Sequence, residues 1–82
     1  MIEESAIVDW LRQELRTVKP KLARHPELGE HFKTDLAFDS LELVELVARI
    51  EQRYGLMIPD SALPAFISLE ATAKYIAGRL AT

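Results

Sequence analysis

Length, composition and charge restrict the chain to a small globular protein. Its 82 residues suffice for one domain, which we expect to span residues 1–82. There is no cysteine, which excludes disulfides and thiolate metal sites, and the two histidines, His25 and His31, cannot complete a zinc site alone. A formal net charge of -3 disfavours nucleic-acid binding, because phosphate neutralisation requires a basic surface.

The chain also lacks the sequence signals of membrane insertion or export. No apolar run is long enough to predict a membrane span. Residues 1–4 begin acidic and lack the basic region of a signal peptide. These features predict a cytoplasmic protein.

The first predicted element is a helix over residues 3–18, followed by a long connection. The helix is indicated by apolar residues at three- and four-residue steps, namely Ile7, Leu11, Leu15 and Val18, and Pro20 should end it. Residues 19–38 contain proline and glycine, which interrupt helices. We expect the apolar side chains of this connection to anchor it to the core: Leu22, Leu28, Phe32, Leu36 and Phe38. His25 and His31 are interpreted as solvated loop residues.

The second predicted helix, Ser40–Tyr54, has clear signals at both ends. Asp39 is a good N-cap, Glu42 gives the capping-box spacing, and Gly55 suits the position after the helix. A helical wheel at about 100° per residue separates three faces. The predicted core face holds Leu43, Val47, Ile50 and Tyr54, with Leu46 at its edge. The predicted water face holds Glu42, Arg49 and Arg53. A second apolar stripe on the flank holds Leu41, Val44 and Ala48.

The remaining elements are also helical. A short piece should follow Asp60 as its N-cap, with Pro64 limiting its length, and a last helix should run from after Ser68 to Leu80. No alternating apolar pattern predicts a strand. The predicted fold class is therefore all-α: a small antiparallel bundle of three main helices plus one short helix.

One segment carries a family resemblance. Residues 35–41, Asp-Leu-Ala-Phe-Asp-Ser-Leu, resemble the modification motif of acyl carrier proteins, D-L-G-x-D-S-L, and the last helix is similar to that of the family, including Tyr75-Ile76. The resemblance covers residues 35–80 well, and residues 1–34 only as a helix followed by a loop. It implies that a phosphopantetheinyl transferase esterifies Ser40 with 4′-phosphopantetheine from coenzyme A, with Asp39 and Leu41 flanking the attachment point.

The resemblance also implies a function and a set of partners. Cargo would be held as a thioester on the arm and presented to acyl-loading, condensing or acyl-transfer enzymes. The partner-binding surface would lie on the second helix and include Leu41, Val44, Glu45, Ala48 and Glu51. Periodicity alone favours a different interpretation of the apolar part of this surface, namely a wide core contact.

We expect no enzymatic activity, no catalytic residue and no metal site. A serine nucleophile needs a base within reach, and the sequence places neither histidine against Ser40. The Gly-x-Ser-x-Gly pattern is also absent around Ser40.

Several residues depart from the family pattern. Ala37 stands where the family usually has glycine, so a turn that needs a positive φ would be strained there. Arg49 and Arg53 make the second helix less acidic than is usual. We therefore expect a carrier in a specialised fatty acid, polyketide or nonribosomal peptide pathway. Met1 and the short C-terminal tail favour a free-standing protein, which we expect to be monomeric. The alternative is an unmodified, carrier-like helical adaptor.

The sequence does not identify the cargo. If the cargo is hidden between helices, we expect its cleft to be lined by apolar residues of the second helix and the following segment: Leu43, Leu46, Ile50, Ile58, Ala65 and Ile67.

Overall fold

A computed structural model describes residues 3–22 and 25–81. In chain order these residues form α1 (Glu4–Val18), α2 (Ser40–Tyr54), a 3-10 helix (Asp60–Ala65) and α3 (Leu69–Leu80). Helix α1 packs against both α2 and α3. The described ranges contain no strand, only an isolated antiparallel bridge between His31 and Ser68. The predicted all-α bundle is confirmed.

Helix α1 supplies one side of the core. Its apolar face is buried through Ile7, Val8, Leu11 and Leu15, in the phase that the sequence predicts. The helix begins one residue later than predicted, and its N-cap residue makes no side-chain hydrogen bond to the first turn.

Helix α2 has the predicted ends. Asp39 Oδ1 accepts from the Glu42 N–H at 2.8 Å, and Glu42 Oε1 accepts from the Asp39 N–H at 2.9 Å. Gly55 follows the helix with a φ of 65°. This conformation favours glycine because the left-handed region crowds a Cβ. The capping box and the C-terminal glycine therefore fix where α2 starts and stops.

The core face of α2 is rotated from its predicted position. Leu46 and Ile50 are fully buried, whereas Leu43 is only half-buried. Glu42 and Arg49, predicted to face water, are also half-buried. The wheel missed this rotation because it contains no information about the neighbouring helix, and α1 covers the side that bears Leu46 and Arg49.

The long connection is anchored by its aromatic residues. Phe32 is fully buried and Phe38 packs against it with ring centroids 5.8 Å apart. The Phe32 N–H donates to the Ile67 carbonyl at 2.8 Å, and the Phe38 N–H donates to the Phe32 carbonyl at 2.8 Å. Leu36 is buried as predicted, but the prediction for Leu28 is wrong, because 42% of its surface is exposed. The connection is thus held to the segment before α3.

The last two helices differ in how they begin. Pro59, not Asp60, occupies the N-cap position of the 3-10 helix, and the structure shows no side-chain cap there, so the prediction for Asp60 is wrong. Ser68 Oγ caps α3 by accepting from the Ala71 N–H at 3.1 Å. Thr72 in α3 is fully buried, and its hydroxyl has no hydrogen-bond partner among the described residues.

Candidate functional site

Ser40 is the first residue of α2 and its side chain faces solvent. Its hydroxyl makes no hydrogen bond within the described ranges of the chain. The capping box immediately around it holds the backbone, since Asp39 and Glu42 bond each other's N–H groups. The hydroxyl is therefore presented at a fixed position but is left chemically available.

The turn before Ser40 contains a strained residue. Ala37 has a φ of 57°, in the left-handed region that costs a non-glycine residue about 1–2 kcal/mol. Lys19, at the end of α1, donates from Nζ to the Ala37 carbonyl at 3.0 Å and to Glu42 Oε1 at 3.2 Å. The same ammonium lies 5.6 Å from the centroid of the Phe38 ring. The left-handed turn is thus retained with alanine and is supported from α1.

A cleft of about 600 Å³ opens beside Ser40. It lies between α2, the 3-10 helix and the long connection. Its apolar walls are formed by Leu43, Val44, Val47, Leu63, Pro64, Phe66 and Ile67. Its polar residues are His31, Lys33, Ser40 and Asp60. Ser40 and an apolar cavity therefore share one opening.

The cleft differs from the one expected for a hidden cargo. Leu43 and Ile67 line it as expected. Leu46, Ile50 and Ile58 are instead buried in the core. Ala65 is exposed and is not part of the lining. The difference has the same cause as the rotation of α2, which turns Leu46 towards α1 and Val44 towards the cleft.

His31 and Lys33 were not expected at this site. His25 is exposed, as interpreted from the sequence, but His31 is half-buried and lines the cleft with Lys33. The Lys33 N–H donates to His31 Nδ1 at 3.2 Å, and no hydrogen bond joins His31 to Ser40 in the part of the chain described. The sequence offered one signal: both residues flank Phe32, whose burial directs its neighbours to the surface around it.

The flank of α2 is exposed apolar surface. Leu41 and Val44 are 80% and 57% exposed, and Ala48 is exposed as well. The alternative of a wide core contact is therefore wrong. Of the two acidic residues expected beside this flank, Glu45 pairs with Arg49 at 3.2 Å, and Glu51 Oε2 accepts from the Ile58 N–H at 2.8 Å.

The arginines of α2 are directed at α1. Arg49 Nη1 lies 3.0 Å from Glu14 Oε1, while its Nε contacts Glu45. Hydrogen bonds to Glu14 and then to Glu45 raise the pKa of Arg49. The Arg53 guanidinium lies 5.9 Å from the centroid of the Trp10 ring. Both cations therefore have partners within the protein itself.

Two further kinds of site were searched for within residues 3–22 and 25–81. No group of three or more histidine or carboxylate side chains is arranged to hold a metal ion there. None of the helices in these ranges has the length and apolarity required to cross a bilayer.

The chain is similar to acyl carrier proteins along most of its length. The family model described as "Phosphopantetheine attachment site" matches residues 7–76. The chain is 45% identical over 42 residues to an acyl carrier protein of Campylobacter hominis, covering 51% of this chain and 53% of that protein. It is 37% identical over 49 residues to one of Helicobacter acinonychis, covering 60% and 63%. It is 40% identical over 48 residues to one of Sinorhizobium fredii, covering 58% and 62%.

These alignments span between about half and two thirds of the relatives' own length. The region matched by the family model includes Ser40, the capping box and every residue of the cleft. The matches support a phosphopantetheine prosthetic group. Because the family model covers well over half of the chain, the chain belongs to the phosphopantetheine attachment family, as a carrier protein of the acyl carrier type.

Proposed function

We propose that the chain carries an acyl cargo on a phosphopantetheine arm attached to Ser40. The observation behind this proposal is the position of the Ser40 hydroxyl, which is exposed at the start of a capped helix and beside an apolar cleft. Family membership makes an attachment residue necessary, and Ser40 lies in the segment that resembles the family's modification motif.

The residues around Ser40 fit a phosphodiester. The first N–H groups of a helix lack intrahelical acceptors, and the helix dipole favours a negative charge there. In α2 the Glu42 N–H is already used by Asp39, which leaves the N–H groups of Ser40 and Leu41 available. When bound, the arm supplies a terminal thiol for a thioester, and the chain itself has no cysteine that could do this.

The role of Ser40 is that of a substrate for another enzyme. Its Oγ would bond to the phosphorus that carries the pantetheine arm, while the transferase breaks the pyrophosphate bond of coenzyme A, takes up the hydroxyl proton and releases adenosine 3′,5′-bisphosphate. The hydroxyl has no hydrogen-bonded base within the described residues, and Nδ1 of His31 is occupied by the Lys33 N–H. These contacts support a carrier and not a catalyst.

The cleft favours an apolar cargo. Its volume of about 600 Å³ is in the range of small-molecule pockets, about 300–1,000 Å³. Apart from four polar residues, of which Ser40 is one, its walls are aliphatic or aromatic. Burial of an acyl chain there would be favoured by about 25 cal/mol per Å² of apolar surface. We therefore propose a fatty acyl or polyketide cargo in preference to an aminoacyl group.

The partner enzymes would dock on the flank of α2. Leu41, Val44 and Ala48 form the apolar part of this surface, and Glu45 supplies a carboxylate at its border. Glu51 contributes less than the sequence suggests, because its carboxylate holds the Ile58 N–H. The proposed partners are a phosphopantetheinyl transferase and acyl-loading, condensing or acyl-transfer enzymes, which would meet a monomeric carrier in the cytoplasm.

The competing function is that of an unmodified adaptor, and the main observation that suggests it is Ala37. The structure keeps Ala37 in the left-handed conformation that a glycine would adopt, and Lys19 holds its carbonyl. The substitution therefore leaves Ser40 at the start of α2. Nothing else in the described residues specifically favours the adaptor.

Intact-mass measurement tests the proposed function. The protein would be incubated with coenzyme A and a phosphopantetheinyl transferase of broad specificity. We expect a mass gain of one phosphopantetheine group, retained in Ser61→Ala and lost in Ser40→Ala. Ser61 is the matched control because it is also an exposed serine at the start of a helix. A gain that persists in Ser40→Ala, or no gain in the unsubstituted protein, would overturn the proposal.

A further inference from the structure

Three cations among the described residues, two in ion pairs with α2 residues and one that lines the cleft, differ in whether they have partners. Lys19 bonds to Ala37 and Glu42, and Arg49 bonds to Glu14 and Glu45. Lys33 is different: its backbone N–H is bonded to His31, but its ammonium has no hydrogen-bond or carboxylate partner among the described residues. It is exposed and lines the cleft that Ser40 also lines.

His31 offers a second donor in the same cleft. Its Nδ1 accepts the Lys33 N–H at 3.2 Å, so the proton of the neutral ring lies on Nε2. Nε2 is then a hydrogen-bond donor whether the imidazole is neutral or charged. His31 is also held in place, because its N–H donates to Asp35 Oδ2 at 2.7 Å.

The loop that carries both residues is well fixed. Phe32 lies between them in sequence and is fully buried. Its N–H donates to Ile67 and its carbonyl accepts from Phe38, each at 2.8 Å. The backbone that carries the two donors is therefore positioned by a buried aromatic anchor, and the exposed Lys33 side chain is ordered only when it binds a ligand.

An anionic group on Ser40 needs such donors. Asp39 precedes it and Asp60 lines the same cleft, so two exposed carboxylates would repel a phosphodiester on Ser40. The open N–H groups of α2 offset part of this repulsion. A cation and a fixed N–H donor on the loop side of the cleft would offset more.

We propose that Lys33 and His31 form a phosphate clamp, in which the Lys33 ammonium and His31 Nε2–H bind the phosphodiester oxygens of an arm attached to Ser40. This proposal rests on the proposed function. The clamp fixes the start of the arm at the entrance of the apolar cleft. It also gives Lys33 and His31 of the long connection a local role, separate from recognition of a partner.

The first test compares melting temperatures of unmodified and phosphopantetheinylated protein. The variants are Lys33→Gln, and His31→Asn, whose side-chain oxygen preserves an acceptor for the Lys33 N–H. The controls are Lys21→Gln and His25→Asn, which change the same residue types at exposed positions outside the cleft. Intact mass first establishes that each protein is modified, so failure of the proposed function is seen separately.

We expect modification to raise the melting temperature in the unsubstituted protein and in both controls. Most of that rise should be lost in Lys33→Gln and in His31→Asn, and raising the salt concentration should reduce the rise where it occurs. Equal rises in all five modified proteins would overturn the clamp.

A second test needs no variant. Nitrogen NMR of the unsubstituted protein would compare His31 Nε2 and Lys33 Nζ before and after modification, with His25 Nε2 and Lys21 Nζ as internal references. The clamp predicts shifts for the first pair that clearly exceed those of the second. Shifts of equal size in both pairs would contradict it.

Discussion

Several side chains in the first turns of α2 are exposed, whereas side chains towards the end of the helix contact α1. Ser40, Leu41 and Val44 are exposed and face a cleft or solvent. Arg49 and Arg53, two turns further on, contact Glu14 and Trp10 of α1. One helix is therefore a presenting surface at one end and a structural support at the other.

This difference changes how the charges of α2 are interpreted. Counted in the sequence, Arg49 and Arg53 suggest an unusual surface for partners. In the structure both are used within the protein, and among the described residues that line the cleft with Ser40 the cation without a side-chain partner is Lys33, from another part of the chain. The net charge of a helix therefore says less about which charges are available to a protein partner than the contacts of each charged side chain do.

The largest difference should come from truncating a buried and an exposed leucine of α2. Leu46 is fully buried, so Leu46→Ala should lower the free energy of unfolding by about 2–5 kcal/mol. Leu41 is 80% exposed, so Leu41→Ala should change it by less than about 0.5 kcal/mol. Urea unfolding would measure both. Similar losses in the free energy of unfolding for the two variants would contradict the described difference in burial between Leu46 and Leu41.

The same Leu41→Ala variant should reveal the presenting surface. If the transferase docks on the flank, its KM for this variant should rise while the stability of the variant is unchanged. Leu28→Ala is a suitable control, because Leu28 is an exposed leucine far from α2 in sequence. An unchanged KM would remove Leu41 from the proposed docking surface.

Two substitutions at positive φ form the next comparison. Ala37→Gly relieves the strain of an alanine in the left-handed conformation, but it also makes the unfolded chain more flexible. The net result should be an increase in the free energy of unfolding of about 0.5–1 kcal/mol. Gly55→Ala does the reverse at a φ of 65°, where an added Cβ would meet only open space, and should cost about 1 kcal/mol. Chemical denaturation measures both. Destabilisation by Ala37→Gly would mean that the turn before Ser40 is not strained.

The smallest effect is expected from the ion pairs of α2. Arg49→Met removes contacts to Glu14 and Glu45. It should lower the melting temperature slightly, because ion pairs that remain accessible to solvent contribute little. The decrease should be smaller at high salt, which screens these pairs. Arg16→Met, an exposed arginine of α1, is the control. The rate of modification of Ser40 should not change in either variant. If modification is slower in Arg49→Met but not in Arg16→Met, Arg49 is part of the docking surface.

Local signals were sufficient to predict the helices and the capped turn that presents Ser40. Asp39, Glu42 and Gly55 act within one turn of the helix ends, so their effect can be read directly from the sequence. The strain at Ala37 was predictable for the same reason, because φ is a property of one residue and its neighbours.

Features that depend on distant parts of the chain could not be predicted. The burial of Leu46 depends on where α1 packs, and the position of His31 depends on the Phe32–Ile67 hydrogen bond. Each couples residues that are far apart in sequence. The cleft beside Ser40 is a product of these couplings, and His31 and Lys33 were therefore missed as part of its lining.

The most direct test of the central claim is to locate the arm on protein isolated from its own host. Trypsin cleaves after Lys33 and Arg49, which releases residues 34–49 with Ser40 as their only serine. The account predicts that this peptide carries the phosphopantetheine group and that fragmentation places it on Ser40. An arm on any other peptide, or an unmodified residue 34–49 peptide throughout, would contradict the account.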